Sequence, residues 1–223
     1  MWNLGLRAGR DRGVDVLCLG AHCDDIEIGC GGTLRHLIES KAVRSVTWVV
    51  LCSNELRERE ALASAQAFLT GVDHVSVTVK KFRDGFLPAQ WAEVKEYFEE
   101  LKKVLSPDLI FTHYRDDRHQ DHRAVSDLTW NTFRNHFVLE YEIPKFDGDM
   151  GAPNVFVELD EAVCRAKVDN LVRHYPSQAG RSWFSPELFM AILRLRGMEA
   201  GSPSGYAEAF YGRKVVMAAD PQA

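Results

Sequence analysis

A chain of 223 residues with 46% hydrophobic content can bury one substantial core, so a single domain is expected. Its formal net charge of −5 leaves no general basic face, which excludes the usual profile of a nucleic-acid binder. No apolar run reaches the length of a membrane span, and the first 13 residues mix Arg7, Arg10, Asp11 and Arg12 with glycines and hold no apolar signal core. They read as a flexible N-terminal segment, 1–13, ahead of one domain over 14–223. Five cysteines without a C-x-x-C pair fit a reducing compartment, and a cytoplasmic location is expected.

In chain order, residues 14–20 form a short apolar run of the buried-strand type, closed by Gly20. A polar turn with His22, Asp24, Asp25 and Glu27 follows, then Gly29, Gly31 and Gly32, and a helix is predicted over 33–39. A second buried strand at 45–52 leads into an amphipathic helix at 55–69, with Arg57 in its first turn. Residues 74–79 alternate as a strand, Asp84-Gly85 marks a turn, and 89–105 is a long helix with Trp91, Val94, Phe98 and Leu101 on one stripe. The strand at 107–113 runs straight into a second polar cluster, His113 to Arg123, ahead of a helix at 124–136.

Strands at 137–143 and 154–159 then flank a loop, and helices are predicted at 161–174 and 186–196. Residues 197–205, rich in Gly, Ser and Pro, read as a mobile loop, 207–211 as a turn and 214–218 as a last edge strand. Alternating strands and helices imply an α/β domain: a mainly parallel sheet with helices on both faces. Ligands of such sheets bind beyond the carboxyl ends of the strands, where both polar clusters fall.

The glycines after the first cluster do not make a dinucleotide fingerprint. They lack the G-x-G-x-x-G spacing, and Asp24, Asp25 and Glu27 would repel a pyrophosphate where it needs bare N–H groups. A cation answers the same residues better. Two imidazoles and a carboxylate are a familiar donor set for Zn²⁺, with a fourth position open to water. His22 and Asp25, three apart at a strand-to-helix turn, can reach one point, and one histidine of the second cluster would complete the set. Asp24 could then accept the proton of the activated water, the other histidine could stabilise an oxyanion or act as general acid, and Asp121 could orient that imidazole.

His36, His74, His136 and His174 lack acidic company and read as surface positions, and Cys18, Cys52 and Cys164 as small core residues. Cys23, among the proposed ligands, is read as a small wall residue, with a thiolate ligand as the minority alternative.

Ala21-His22-Cys23-Asp24-Asp25-Ile26-Glu27 resembles the A-H-P-D-D-x-E signature of the LmbE/PIG-L family of zinc-dependent N-deacetylases, and 117–122 resembles its second motif. The resemblance continues at 57–61, 84–85, 177–178 and 207–210, and so covers nearly all of the chain from Val14. It implies a Rossmann-like domain that hydrolyses an acetamide, most often on a glucosamine-type sugar. Carried over by position, His22, Asp25 and His122 are the metal ligands, for Zn²⁺ or another divalent ion such as Fe²⁺. Asp24 is the general base, His119 the oxyanion stabiliser or general acid, and Asp121 its orienting partner. Arg57 and Asp84 are assigned to substrate binding. Cys23 stands where the family usually has Pro, which loosens the loop.

The expected partner is a small N-acetylated sugar, with no nucleic acid, no membrane span, and self-association into a homo-oligomer as in other family members. Two other readings compete: a two-metal phosphoesterase using Glu27, Asp116, Asp117 and His113 as further ligands, and a non-catalytic zinc-binding protein of the same fold.

Overall fold

In a computed structural model of the protein, the described residues are Gly5 and 13–216. Among them a seven-stranded sheet runs in the order β3-β2-β1-β4-β5-β7-β6. The strands are β1 (Val14–Gly20), β2 (Val43–Cys52), β3 (His74–Phe82), β4 (Leu109–His113), β5 (Phe137–Tyr141), β6 (Val155–Glu158) and β7 (Ala207–Gly212). The first five pair in parallel, and β7 pairs antiparallel with both β5 and β6. The expected mainly parallel sheet is therefore present.

Strand alternation divides the core into two layers. Val16 and Cys18 of β1 face α1 (Asp25–Glu39), α2 (Glu55–Phe68), α5 (Glu161–His174) and α6 (Pro186–Ala200). Leu17 and Leu19, one residue out of phase, face α3 (Trp91–Val104) and α4 (Gln120–Thr132). The order of strands reverses between β1 and β4, which lie side by side with Val16 opposite Leu109. After β1 the chain turns into α1 on one face; after β4 it turns into α4 on the other. The two turns open a crevice between them at the carboxyl edge.

Five elements differ from the sequence reading. Helix α1 begins at Asp25, eight residues before the predicted start, and its glycines lie inside it. They are needed there for close packing: a Cβ on Gly29 would overlap the Tyr141 ring, and one on Gly31 would stand 2.7 Å from Phe68. Helix α4 begins at Gln120, four residues early, with His119 as its N-cap, so the second cluster occupies a helix start. The predicted turn at 207–211 is strand β7, buried between β5 and β6. Residues 214–216 form no strand, and 217–218 lie outside the described residues.

The predicted mobile loop at 197–205 is the fifth difference. Helix α6 continues to Ala200, and a Cβ on Gly197 would overlap the Gly205 carbonyl oxygen. In an exposed helix Gly→Ala stabilises, by about 1 kcal/mol. At this backbone-to-backbone contact the sign should reverse: Gly197→Ala is expected to cost about 1–3 kcal/mol through overpacking strain, read as a lower urea midpoint. A midpoint unchanged or raised would show that this segment does not pack as described.

Candidate metal centre

Three donor atoms converge where the β1 and β4 turns meet. His22 Nδ1 lies 3.2 Å from His122 Nε2 and 3.5 Å from Asp25 Oδ2, and His122 Nε2 lies 3.6 Å from Asp25 Oδ1. Donors held at 2.0–2.2 Å around a tetrahedral ion stand about 3.3–3.6 Å apart, the same spacing. The predicted ligand set is thus brought together in space, across a hundred residues of chain.

Hydrogen bonds on the far sides of both rings suit the centre to a cation. His122 Nδ1 is 2.9 Å from Asp117 Oδ2, and His22 Nε2 is 3.2 Å from both Asp121 Oδ2 and Asp84 Oδ1. With each outer nitrogen donating to a carboxylate, both inner nitrogens present lone pairs to each other and to the Asp25 carboxylate. Three electron-rich atoms facing one point repel unless something positive sits between them, either a metal ion or a proton on His22, which, against the effect of burial, Asp121, Asp25 and Asp84 hold well above the ordinary histidine value. Burial also pushes His122 down to about 4, so it is a neutral imidazole, as a ligand must be. The residues present therefore fit a divalent ion with nitrogen and oxygen preference.

Asp25 is held for this task. One of its oxygens accepts the His22 backbone N–H at 2.6 Å, and Asp25 opens α1, so its negative charge lies at the positive end of the helix. Asp24, the N-cap, has φ 110°, a left-handed conformation uncommon outside glycine and a sign of stored strain at this turn. Its carboxylate is buried and meets Arg57 Nη2 at 2.9 Å. Burial pushes Asp24 up to about 7, with the Arg57 guanidinium working against it. A carboxylate there is matched to proton transfer near neutral pH.

His119 lines the same cleft. Its Nδ1 accepts the backbone N–H of Asp121 at 3.2 Å, which leaves Nε2 as the proton-bearing nitrogen. Burial and the nearby His22 hold it below the ordinary histidine value. The expectation that the Asp121 carboxylate orients His119 is corrected here. That carboxylate turns the other way, to His22, and accepts the N–H groups of Gly85 and Leu87 at 2.7 and 3.0 Å. It braces the His22 ring and pins the Asp84 turn, and it is the backbone N–H of Asp121 that meets His119.

Arg57 reaches the cleft, but its guanidinium is already engaged. It donates to the Cys23 carbonyl and to Ser177 Oγ, pairs with Asp24 and Glu60, and lies 4.9 Å from the centre of the Tyr175 ring. Asp84 stands at the mouth with its side chain 79% exposed. Cys23 is buried, directs its thiol to the Cys52 carbonyl, and is pushed well above the thiol range by burial, which fits the wall role.

Two residues outside the predicted site act on it. Asp117 fixes the His122 ring and is itself gripped by Lys145 at 2.9 Å; against the effect of burial, these contacts hold it well below the carboxylate range. His113, fully buried at the end of β4, stacks on His122 with ring centres 4.0 Å apart and accepts the Ala21 N–H at 2.9 Å. Its sequence signal was the terminal position on a strand beside the cluster. The cleft over the centre measures about 690 Å³, within the range that encloses small-molecule ligands.

An α/β domain with a divalent-ion donor set at its topological switch point is the class that fold and site define. The sequence model of the PIG-L family, described as GlcNAc-PI de-N-acetylase, matches residues 17–133, just over half of the chain. The chain belongs to the PIG-L family. It is 27% identical over 169 residues to the uncharacterized deacetylase YaiS of Escherichia coli (strain K12), covering 71% of this chain and 89% of YaiS. Among solved structures, the conserved protein TT1542 of Thermus thermophilus is similar at TM-score 0.70 and 25% identity, covering 94% of this chain and 99% of that one. The N,N'-diacetylchitobiose deacetylase of Pyrococcus horikoshii shares the fold at TM-score 0.64 and 21% identity, over 89% of this chain and 83% of its own.

Replacing Asp117 by Asn exchanges the carboxylate behind His122 for an amide and frees the ring tautomer. Asp117→Asn should weaken divalent-metal affinity by about 10–100-fold while the circular-dichroism spectrum stays native, with titration calorimetry as the readout. Unchanged affinity would remove Asp117 from the account.

Proposed function

We propose that this chain is a metal-dependent N-deacetylase that hydrolyses the acetamide of an N-acetylated sugar or glycoconjugate. The observation that carries the reading is the convergence of His22, Asp25 and His122 donor atoms on one point, with Asp24 and His119 beside them in the same cleft. A divalent ion held there, Zn²⁺ by the character of the donors, would supply Lewis acidity toward an amide carbonyl and a water of pKa about 7. His22, Asp25 and His122 would hold it.

The remaining work falls to side chains of this protein. Asp24 takes the proton of the attacking water as its oxygen bonds to the carbonyl carbon, and Arg57 keeps that carboxylate in place. His119 offers its Nε2–H to the charge that develops on the carbonyl oxygen or to the leaving nitrogen. When the C–N bond breaks, acetate forms and the nitrogen departs as an amine carrying the transferred proton.

The two-metal alternative would need Glu27, Asp116, Asp117 and His113 as further ligands; the first three are engaged elsewhere, and His113 Nε2, 3.2 Å from Asp25 Oδ2, already receives the Ala21 backbone N–H. Glu27 accepts from Ser64 and Tyr175 in the core, Asp116 faces Arg213, and Asp117 is held by His122 and Lys145. Against a purely structural site stand the buried base and the open cleft, because a closed structural centre requires neither.

The test is acetate release from a panel of N-acetyl sugars with one equivalent of bound metal. Asp24→Asn should keep the metal and lose about 10²–10⁴-fold in kcat, whereas His22→Ala should lose the metal itself, as read by elemental analysis. Ordinary turnover by Asp24→Asn would refute the base assignment, and two tightly bound ions per chain would favour the phosphoesterase.

A further inference from the structure

Asp24 occupies a strained position, φ 110°, where β1 turns into α1. Such a conformation persists only where its surroundings over-determine it. Arg57 holds the strained residue at two points: Nη2 donates to the Cys23 carbonyl just before it and meets the Asp24 carboxylate at 2.9 Å. An arginine is a poor anchor by itself, because its long side chain has many rotamers to lose. What fixes Asp24 therefore depends on what fixes Arg57.

Two segments outside the metal centre do so. Glu60 lies one turn further along α2, its carboxylate 6% exposed, and the short turn 176–178 follows α5. Glu60 Oε1 accepts the Ser177 N–H at 2.9 Å, and Oε2 accepts the Ser177 hydroxyl at 2.6 Å and Arg57 Nη1 at 3.2 Å. The Ser177 hydroxyl in turn accepts Arg57 Nη1 at 3.2 Å and the Gln178 side-chain amide at 2.9 Å. Its one donor and both lone pairs are then used. Beside the guanidinium lies the Tyr175 ring, 4.9 Å away at its centre, with its hydroxyl tied to Glu27 at 2.6 Å. The side of Arg57 away from Asp24 is thus clamped.

We infer that Glu60 and Ser177 are positioning residues for the hydrolysis, acting through Arg57 to aim the Asp24 carboxylate at the attacking water. This role rests on the deacetylase reading, with Asp24 as its base, and extends it to residues outside the cleft lining. A buried ion pair adds little net stability, whereas an offset of about 1 Å in a catalytic group costs about 10²-fold in rate. The second effect is the one that a clamp on Arg57 governs. Substrate contacts and metal ligands are left alone, so loss of the clamp falls on kcat, not on KM or metal binding.

The test measures acetate release from N-acetyl sugars by the metal-loaded protein. Glu60→Gln keeps the shape of the side chain and sets an amide against Arg57. It should lower kcat by about 10–100-fold, with KM within about threefold of wild type and metal content unchanged. Ser177→Ala, the milder variant, should lower kcat by about three- to tenfold, and it carries the test should Glu60→Gln fail to fold. In an Arg57→Ala background either substitution should add less than about threefold, because its effect travels through the missing guanidinium. A second readout needs no turnover. Nitrogen-15 NMR of the Arg57 guanidinium should show separate Nη resonances in the wild type, from blocked rotation, and averaged ones in Glu60→Gln. Wild-type kcat in both single variants, a full multiplicative loss in the Arg57→Ala background, loss of metal, or averaged resonances already in the wild type would overturn the inference and leave the deacetylase standing. No acetate from the wild type on any of the sugars would instead overturn the deacetylase reading beneath it.

Discussion

The rest of the structure depends on one electrostatic constraint: three lone-pair donors, His22 Nδ1, His122 Nε2 and an Asp25 oxygen, are forced to within 3.2–3.6 Å of one another. A cation relieves that repulsion, and so does a proton on His22, which, against the effect of burial, hydrogen bonds to Asp121, Asp25 and Asp84 hold well above the ordinary histidine value; much of the chain maintains the arrangement. Asp117 and Asp121 turn the two imidazoles so that their lone pairs point inward. The His22 N–H fixes the Asp25 carboxylate from outside the cluster. Burial keeps His122 uncharged, so the arrangement cannot be neutralised by protonating that ring near neutral pH.

The sheet order sets up this meeting. Because β1 and β4 are neighbours and their helices depart to opposite faces, two turns far apart in sequence end side by side. Close packing then holds them in place. Gly29 lets α1 approach the Tyr141 ring, and the Tyr141 hydroxyl donates to the Leu19 carbonyl just before the first turn. Deeper in the same helix, Glu208 of β7 accepts the Gly32 and Thr33 N–H groups, while Lys167 of α5 caps the Ile28 carbonyl and pairs with Glu208. A buried ion pair of this kind fixes geometry more surely than it adds stability. Here the geometry it fixes is the axis of the helix that begins with Asp25.

That His22 and Asp25 meet a histidine of the second cluster was legible in the sequence because each half is local; that the histidine is His122 came from the family resemblance. His22 and Asp25 share a turn, as do His119 and His122, and the parallel α/β alternation implied that such turns gather at one edge. What could not be read is whatever depends on packing between segments. Asp117 and Asp116 are indistinguishable as letters, yet one grips His122 and the other is 67% exposed beside Arg213. The Asp121 carboxylate faces His22 rather than His119 because the Gly85–Leu87 backbone folds in to meet it. His113 matters only because β4 lies beside β1, which puts its ring behind His122 and against Ala21. The α1 glycines look like a turn until Tyr141 and Phe68 are placed against them. Strand β7 was missed because it joins the sheet antiparallel, out of step with the alternation that revealed the other strands.

X-ray absorption spectroscopy at the edge of the bound metal tests the central claim most directly. The account predicts a shell of nitrogen and oxygen scatterers at about 2.0–2.2 Å with the outer-ring signature of two imidazoles and no sulfur. A sulfur shell near about 2.3 Å, which would bring in Cys23 or Cys52, or the absence of imidazole scattering, would contradict it.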